Sequence, residues 1–468
     1  MAAGQSHSIQ ASSTTTSSCR RFSFRPRCQE RRRRWPSPCA GATRSSSAPR
    51  ETKRLSDIDD QQTLRSHVPV FFFYRGGGPR HTDDDDPAPA VRRAVGQALV
   101  SYYPLAGRLR ETETEEGRKL VVECTGEGVL FVEADADARL AELQPGVTFP
   151  WIDQFLSDVE GSSGVLNCPL LLIQVTRLLC GGVVLALRVN HAVCDATGTA
   201  QFMSAVAELA RGVPAPTVAP VWSRHLLEAR SPPTPTFPHR EYDAVPLPPP
   251  PPAPPAAGDV VVRAFNFSKA DIGVIREALP PRLRDRATTY EVLAGAVWRA
   301  RTAALEIAAD EDVRLAVIAN FRGLPELGLP AGYYGNACVA LMAVTTAGAL
   351  RDGSVGNAVE LVREVKAAMT AEYVRSTADF LVLHGRPLVA LANLFVLSDT
   401  RYAGFHCVDF GWGEHVYGGP VKTPLNGNFL VTVKNDQGEE DAVAISIALP
   451  QRAMDKFASQ VEMLVKKD

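Results

Sequence analysis

The first candidate for chemistry is a histidine followed four residues later by an acid, in the segment His191-Ala-Val-Cys-Asp195. His191 comes directly after an apolar run that ends at Asn190, and a loop that follows a strand is a usual place for reactive side chains. Because imidazole titrates near neutral pH, His191 is a candidate general base. Asp195 has two open tasks, since a carboxylate at this spacing can orient the imidazole or organise the loop around it.

A second candidate is the segment Asp409-Phe-Gly-Trp-Gly413. Gly411 and Gly413 flank Trp412 and permit backbone angles that other residues resist. The segment is either a tight turn closed by an aromatic plug or the wall of a site whose indole N–H donates a hydrogen bond. Arg322 is a third candidate: it is either a solvated arginine in a loop or a buried arginine, which would require a carboxylate partner such as Asp409.

Several other classes of site find no support in the sequence. Gly76-Gly-Gly78 lacks the Lys-Ser/Thr pair of a phosphate-binding loop, and no Gly-x-Ser-x-Gly segment presents a serine nucleophile. The acids Asp83–Asp86 lack the spaced ligands and the glycine of a calcium loop, so we interpret them as a charged helix start. The 9 cysteines form no CxxC pair, which argues against a zinc site and a disulfide framework and favours reduced thiols in the cytosol.

Composition limits the class of protein. The chain has 468 residues, of which 45% are hydrophobic and 22% charged, with a formal net charge of −2. This length favours two domains, and the charge balance excludes the basic surface of a nucleic-acid-binding domain. No apolar run reaches the roughly 18 residues of a membrane span. We therefore expect no nucleic-acid partner, no membrane segment, no metal and a monomer.

Alternating strand and helix patterns indicate an α/β protein. Pro69–Tyr74 is predicted as a buried strand, Gly182–Val189 as the strand that ends at His191, and Val355–Tyr373 as one long helix. The residues between 246 and 255 are nearly all proline, which favours an extended linker. We divide the chain into an extension (1–48), an N-terminal domain (49–240), the linker (241–259) and a C-terminal domain (260–468). The Ser- and Arg-rich extension is predicted to be disordered or a transit peptide.

The two motifs together, in this order and at about this separation, resemble those of the BAHD plant acyltransferase family. Tyr103-Pro-Leu-Ala-Gly-Arg108, Gly332-Tyr-Tyr-Gly-Asn336 and Val416-Tyr-Gly-Gly-Pro420 are similar to that family as well. Within it, Glu51–Asp60 and Pro169–Arg177 are similar to the benzyl alcohol O-benzoyltransferase group. The resemblance covers about residue 49 to the C-terminus.

The resemblance implies two chloramphenicol-acetyltransferase-like α/β domains with mixed sheets and a channel between them, entered by acyl-CoA from one face and by an alcohol from the other. It implies that His191 is the base and that Asp195 is a structural acid. It also implies that Asp409 pairs with Arg322 and that Trp412 lies near the developing oxyanion. Thr288 and Thr289 match a pair of small hydroxyl residues near CoA. Acyl-CoA would be a co-substrate, with no permanently bound cofactor.

The sequence departs from the family pattern at Ala196, in the segment 322–330 and at Lys422–Phe429, which leaves substrate preference open. Two alternatives to an O-acyltransferase also stay open. One is an N-acyltransferase with an amine or polyamine acceptor, and the other is a catalytically weak acyl-CoA-binding paralogue. We expect a cytoplasmic protein, or a plastid protein if the extension is a transit peptide.

Overall fold

The computed structural model describes residues 24–26, 51–76, 86–114, 117–243, 260–423, 427–434 and 441–466. Its strands form two six-stranded sheets and one three-stranded sheet. In spatial order the first sheet contains β1 (Phe24–Pro26), β6 (Leu130–Ala136), β7 (Leu171–Leu178), β8 (Val183–Asn190), β3 (His67–Arg75) and β13 (Glu414–Pro420). Only the β6–β7 pair in this sheet is parallel, so the sheet is mixed, as expected.

The second large sheet is also mixed, with parallel pairs on both sides of its third strand. It contains β11 (Cys338–Thr346), β10 (Asp312–Asn320), β12 (Leu394–Asp399), β14 (Asn428–Lys434), β15 (Asp441–Pro450) and β9 (Val260–Phe267). The small sheet contains β2 (Thr52–Arg54), β5 (Gly117–Glu123) and β4 (Arg108–Thr114).

The helices of the described residues pack against these sheets. They are α1 (Pro87–Ser101), α2 (Leu140–Leu143), α3 (Ile152–Phe155), α4 (Ala196–Ala210), α5 (Lys269–Glu277), α6 (Pro281–Arg284), α7 (Thr289–Ala304), α8 (Ala347–Asp352), α9 (Val355–Ala367), α10 (Ala371–Leu383) and α11 (Gln451–Leu464). Within the part of the chain that the structure describes, none of them has the length and hydropathy needed to cross a membrane.

The aromatic run in β3 follows from burial on both faces of the first sheet. Phe72 and Tyr74 pack in the core beneath α1 and α4, whereas Phe71 and Phe73 point the other way because side chains alternate along a strand. All four are fully buried. The face of the first sheet that carries Phe71 and Phe73 packs in one hydrophobic core with Phe429 and other residues of the second large sheet. The two large sheets therefore share an apolar layer.

One predicted helix differs from the structure, and one strand that was not predicted joins the first sheet. The predicted helix Val355–Tyr373 is two helices, α9 and α10, because Thr370 adopts an extended backbone and its side chain accepts a hydrogen bond from the N–H of Tyr373, which starts a new helix. Strand β13 belongs to the second half of the chain but forms an edge of the first sheet beside β3.

The extension and the linker lie mostly outside the described residues. From the extension, Phe24–Pro26 is described as a strand that pairs with β6, with Phe24 opposite Ala136. The disorder or transit-peptide prediction for the rest of residues 1–48 falls on residues that are not described. So does the proline-rich part of the linker, residues 244–259.

Candidate active site

A cavity of about 1090 Å³ is lined by strands of both large sheets and contains four of the predicted site residues. His191, Asp195, Thr288 and Thr289 all contribute to its wall. Strands β3 and β8 supply one side, and β10, β11 and β12 supply the other. A cavity that the two halves build together matches the expected channel between domains.

His191 is held by its backbone at the end of β8. Its N–H donates to the carbonyl of Ser66 at 2.8 Å, and its carbonyl accepts from Nδ2 of Asn336 at 2.9 Å. The side chain of Asn190 turns the chain by accepting from the N–H of Ala192 at 3.1 Å. Nδ1 of His191 has no hydrogen-bond partner among the described residues. Among the described residues no carboxylate binds this buried nitrogen, so the backbone of the loop rather than an acid holds His191 in the cavity wall.

Asp195 organises the loop and does not touch His191. It caps α4, because its Oδ1 accepts from the N–H of Gly198 at 2.9 Å, while Oδ2 accepts from the N–H of Ala337 at 3.0 Å. The guanidinium of Arg322 donates to both oxygens, at 2.7 and 2.9 Å. Burial alone favours the neutral acid, but the charge and hydrogen bonds of Arg322 outweigh it and hold the pKa of Asp195 below its ordinary value.

The expectation that Arg322 pairs with Asp409 is wrong, since Arg322 is bound to Asp195 from the other half of the chain. Asp409 is 63% exposed and lies 3.3 Å from Nη1 of Arg211. Its Oδ1 accepts from the N–H of Gly411 at 2.8 Å. The buried carboxylate of Asp195 binds Arg322 because little water competes for the guanidinium there. The exposed carboxylate of Asp409 stabilises its own turn.

The structure does not bring Trp412 to the cavity. Its indole stacks on Phe410, with ring centroids 4.3 Å apart, and meets Tyr74 edge-on at 5.5 Å. Gly411 and Gly413 have φ values of +73° and +115°, a region that favours glycine. Of the two interpretations of this segment, the turn closed by an aromatic plug agrees with the structure, and the geometry gives no support to an oxyanion role for Trp412.

A second buried network supports the same loop and was missed from the sequence. Arg224 donates to both oxygens of Asp59 at 2.7 and 2.8 Å and to the carbonyl of Val193 at 2.7 Å. Asn336 donates to Asp59 at 2.8 Å and to the carbonyl of His191. A Cβ on Gly335 would lie 1.8 Å from Nη1 of Arg224, which explains the glycine there. The three acids and the serine of Ser56–Asp60 were the available signal in the sequence.

Thr288 and Thr289 line the cavity at the start of α7. Thr288 caps this helix: its Oγ1 accepts from the N–H of Glu291, and Glu291 in return accepts from the N–H of Thr288 at 2.8 Å. Lys366 also lines the cavity and is paired with Glu291 at 2.7 Å. Hydroxyl and ammonium donors therefore cluster at this part of the wall, and such donors can hold a phosphate or an amide.

Elsewhere the fold contains a serine, a histidine and a glutamate at hydrogen-bond distances. Nε2 of His239 lies 2.7 Å from Oγ of Ser376, and Nδ1 lies 2.8 Å from Oε1 of Glu241. The three are at most 2% exposed. Oγ of Ser376 also accepts from the N–H groups of Thr236 and Phe237. Without access for a substrate, this cluster joins residues 236–241 to α10.

Metal chemistry finds no support in the described residues, which contain no group of three or more His, Cys, Asp or Glu side chains able to hold an ion. Six of the cysteines are described, and all six are free thiols.

Comparison with known proteins places this chain in a family. The chain is 46% identical over 429 residues to a benzyl alcohol O-benzoyltransferase of Petunia hybrida, covering 90% of this chain and 91% of the relative. It is 44% identical over 429 residues to alcohol acyltransferase 16 of Actinidia chinensis var. chinensis, with 90% and 91% covered. The model of the Transferase family matches residues 43–464. The chain belongs to this family, the BAHD acyltransferases.

Solved structures agree with the BAHD fold. Vinorine synthase superposes with a TM-score of 0.67 at 20% identity, covering 92% of this chain and 97% of that one. TRI101 of F. graminearum, complexed with coenzyme A and T-2 mycotoxin, superposes with a TM-score of 0.67 at 16% identity, covering 87% and 96%. The expected two-part α/β fold and the resemblance to the benzoyltransferase group are therefore confirmed.

Proposed function

We propose that this BAHD protein transfers an acyl group from an acyl-CoA thioester to an alcohol, giving an ester and free CoA. The observation that carries the proposal is His191, with an unpartnered Nδ1, in the wall of a cavity lined by both sheets. The named relatives are alcohol acyltransferases, and a solved structural neighbour holds coenzyme A. Benzoyl-, acetyl- and hydroxycinnamoyl-CoA are the donors to test.

In the proposed mechanism the imidazole of His191 removes the proton of the bound alcohol, and the alcohol oxygen attacks the thioester carbonyl. The tetrahedral intermediate collapses as the carbon–sulfur bond breaks, and the imidazolium returns its proton to the CoA thiolate. A positioned base contributes about 10²–10⁴-fold to such a reaction. Holding the thioester and the alcohol in line in one cavity supplies a further part of the rate.

A direct transfer is favoured over an acyl-cysteine intermediate. Cys194 also lines the cavity, but burial raises the pKa of its thiol to about 12. A thiol that stays protonated is a poor nucleophile. The Sγ of Cys194 lies 3.4 Å from Oγ1 of Thr199. The residue is 4% exposed. His191 is therefore left to activate the alcohol itself.

The charges of the cavity favour an alcohol over an amine acceptor. Among the described residues, Asp195 and Asp399 are the two carboxylates in the cavity wall. Asp195 is bound to Arg322, and Asp399 accepts from Arg401 at 2.7 and 2.9 Å. An ammonium group would thus find no unpaired carboxylate here. A polyamine acceptor would be turned over poorly, if at all.

The test is the release of free CoA by purified protein given benzoyl- or acetyl-CoA with a panel of alcohols and amines. We expect release with alcohols and a loss of about 10²–10⁴-fold in kcat for His191→Ala. His225→Ala is the matched control, since His225 is an exposed histidine outside the cavity. Normal acyl-CoA binding without turnover would instead select the non-catalytic paralogue, and turnover of amines alone would select the N-acyltransferase.

The cellular setting forms part of the same proposal. We place the protein in the cytoplasm as a monomer, with the plastid as the alternative if residues 1–48 act as a transit peptide. Light scattering gives the oligomeric state. A fluorescent fusion with and without residues 1–48 distinguishes the two compartments.

A further inference from the structure

A second imidazole lines the cavity beside the proposed base. His67 is the first residue of β3, and its Cα is paired with that of Asn190 on β8. The preceding residue, Ser66, accepts the backbone hydrogen bond of His191. The two histidines therefore lie on adjacent strand ends, where the N–H of His191 donates to the carbonyl of Ser66, the residue before His67, at 2.8 Å. None of the sequence motifs pointed to His67.

The hydrogen bonds around Asn190 fix which nitrogen of His67 carries the proton. Oδ1 of Asn190 accepts from the N–H of Ala192, so the amide orientation is set and Nδ2 is the donor. Nδ2 lies 3.4 Å from Nε2 of His67. Nε2 must then accept, which places the proton on Nδ1. Nδ1–H makes no hydrogen bond to any described residue.

His67 stays neutral at the pH values at which an alcohol acyltransferase would be assayed. Burial, followed by the positive charge of Arg188, lowers the pKa of His67 to about 4. Arg188 itself is occupied by Asp158 and Ser162 on the same side of the sheet. An imidazole with so low a pKa is a weak base, but its fixed N–H can still donate a hydrogen bond. His191 and His67 thus differ in the chemistry they can perform.

We propose that His67 is a positioning residue of the acceptor subsite, whose Nδ1–H donates a hydrogen bond to a second, uncharged oxygen of the acceptor alcohol. The inference rests on the proposed acyl transfer. Apolar residues such as Leu64, Val68 and Val70 line this part of the cavity together with the polar Gln61, Thr63 and Ser66. An N–H without a protein partner in this wall gains a hydrogen bond from a neutral oxygen brought by the substrate. The substrate class this favours is an alcohol with an ether, carbonyl or hydroxyl oxygen a few atoms from the reacting hydroxyl.

The test uses pairs of acceptors that differ by one CH₂ replaced by oxygen. Suitable pairs are 1-hexanol with 2-propoxyethanol and 3-phenyl-1-propanol with 2-phenoxyethanol. The quantity measured is the ratio of kcat/KM within each pair, for the wild-type protein, His67→Leu and His67→Gln. A single hydrogen bond predicts that the ratio falls roughly 3- to 10-fold in His67→Leu. In His67→Gln, which keeps an N–H donor, the ratio stays near that of the wild type.

Each other outcome overturns the inference. An unchanged ratio in His67→Leu means that the N–H does not contact the acceptor. An equal loss with both members of a pair places the contact at the thioester. A shift in the pH midpoint of kcat would make His67 part of the proton transfer. Absence of CoA release with every acceptor contradicts the proposed function itself, which is a separate result. Unfolding midpoints of both variants show whether the fold is intact.

Discussion

Asp195→Ala should cost stability and leave the proton chemistry in place. The substitution removes the acceptor of four hydrogen bonds, from Gly198, Ala337 and twice from Arg322. It also leaves the guanidinium of Arg322, with a side chain 19% exposed, without its counter-charge. Breaking a buried ion pair from one side costs about 3–5 kcal/mol. We expect a loss of that size in the free energy of unfolding.

The dependence on pH follows from the direction of the pKa shift. The carboxyl of Asp195 has a pKa below its ordinary value of 3.8 in the folded protein. Its contribution to stability is therefore complete above that ordinary value and is lost as the pH falls through the lowered one. The difference in unfolding free energy between the wild type and Asp195→Asn should be constant between pH 5.5 and 7.5 and should shrink in more acidic solution.

The assay is urea unfolding followed by tryptophan fluorescence, together with the pH profile of kcat. Asp409→Ala is the matched control, because its exposed pair with Arg211 is worth about 0.2–1 kcal/mol. Activity of Asp195→Ala should fall through displacement of the loop, with the pH midpoint of the remaining activity unchanged. A midpoint shifted by a full pH unit, or a stability equal to that of the control, would refute a purely structural role.

Three further predictions follow from the described contacts. Asn336→Ala should lower kcat more than it raises KM, because the substitution removes the hydrogen bond to the carbonyl of His191 and Asn336 does not line the cavity. Equal changes in kcat and KM, measured by steady-state kinetics, would contradict this. Trp412→Phe should keep more than about a tenth of kcat, because the indole does not line the cavity. If Trp412 were an oxyanion donor, its loss would lower kcat by about 10²–10³-fold. Ser376 should not react with a fluorophosphonate probe in the folded protein, whereas labelling before unfolding, seen by mass spectrometry, would show that the buried His239 cluster is accessible.

The sequence predicted the parts of this site that depend on residue type and local pattern. The strand that ends at His191 follows from its apolar run, whereas the capping of α4 by Asp195 is seen only in the structure. The joint occurrence of two motifs indicated the family, and with it the fold and the cavity. Such features can be predicted because they depend only on residues close together in the chain or on motifs shared with a known family.

What the sequence could not predict are partners distant in the chain. Asp409 was the expected partner of Arg322, and only the packing of Ala337 beside the start of α4 places Asp195 there instead. Asp59 and Arg224 are 165 residues apart and carry no motif that joins them. His67 has no neighbour in the sequence that marks it, because its importance comes from the cross-strand position of Asn190.

The position of β13 has a consequence for how this chain is made. Until the ribosome has synthesised Glu414–Pro420, the β3 edge of the first sheet has no partner strand, although β3 carries three consecutive phenylalanines. Unpaired edges of this kind favour association with other chains. We therefore expect each half, expressed alone from a gene fragment cut at the proline-rich segment, to aggregate. Coexpression of the two halves should yield more folded protein than expression of either half alone.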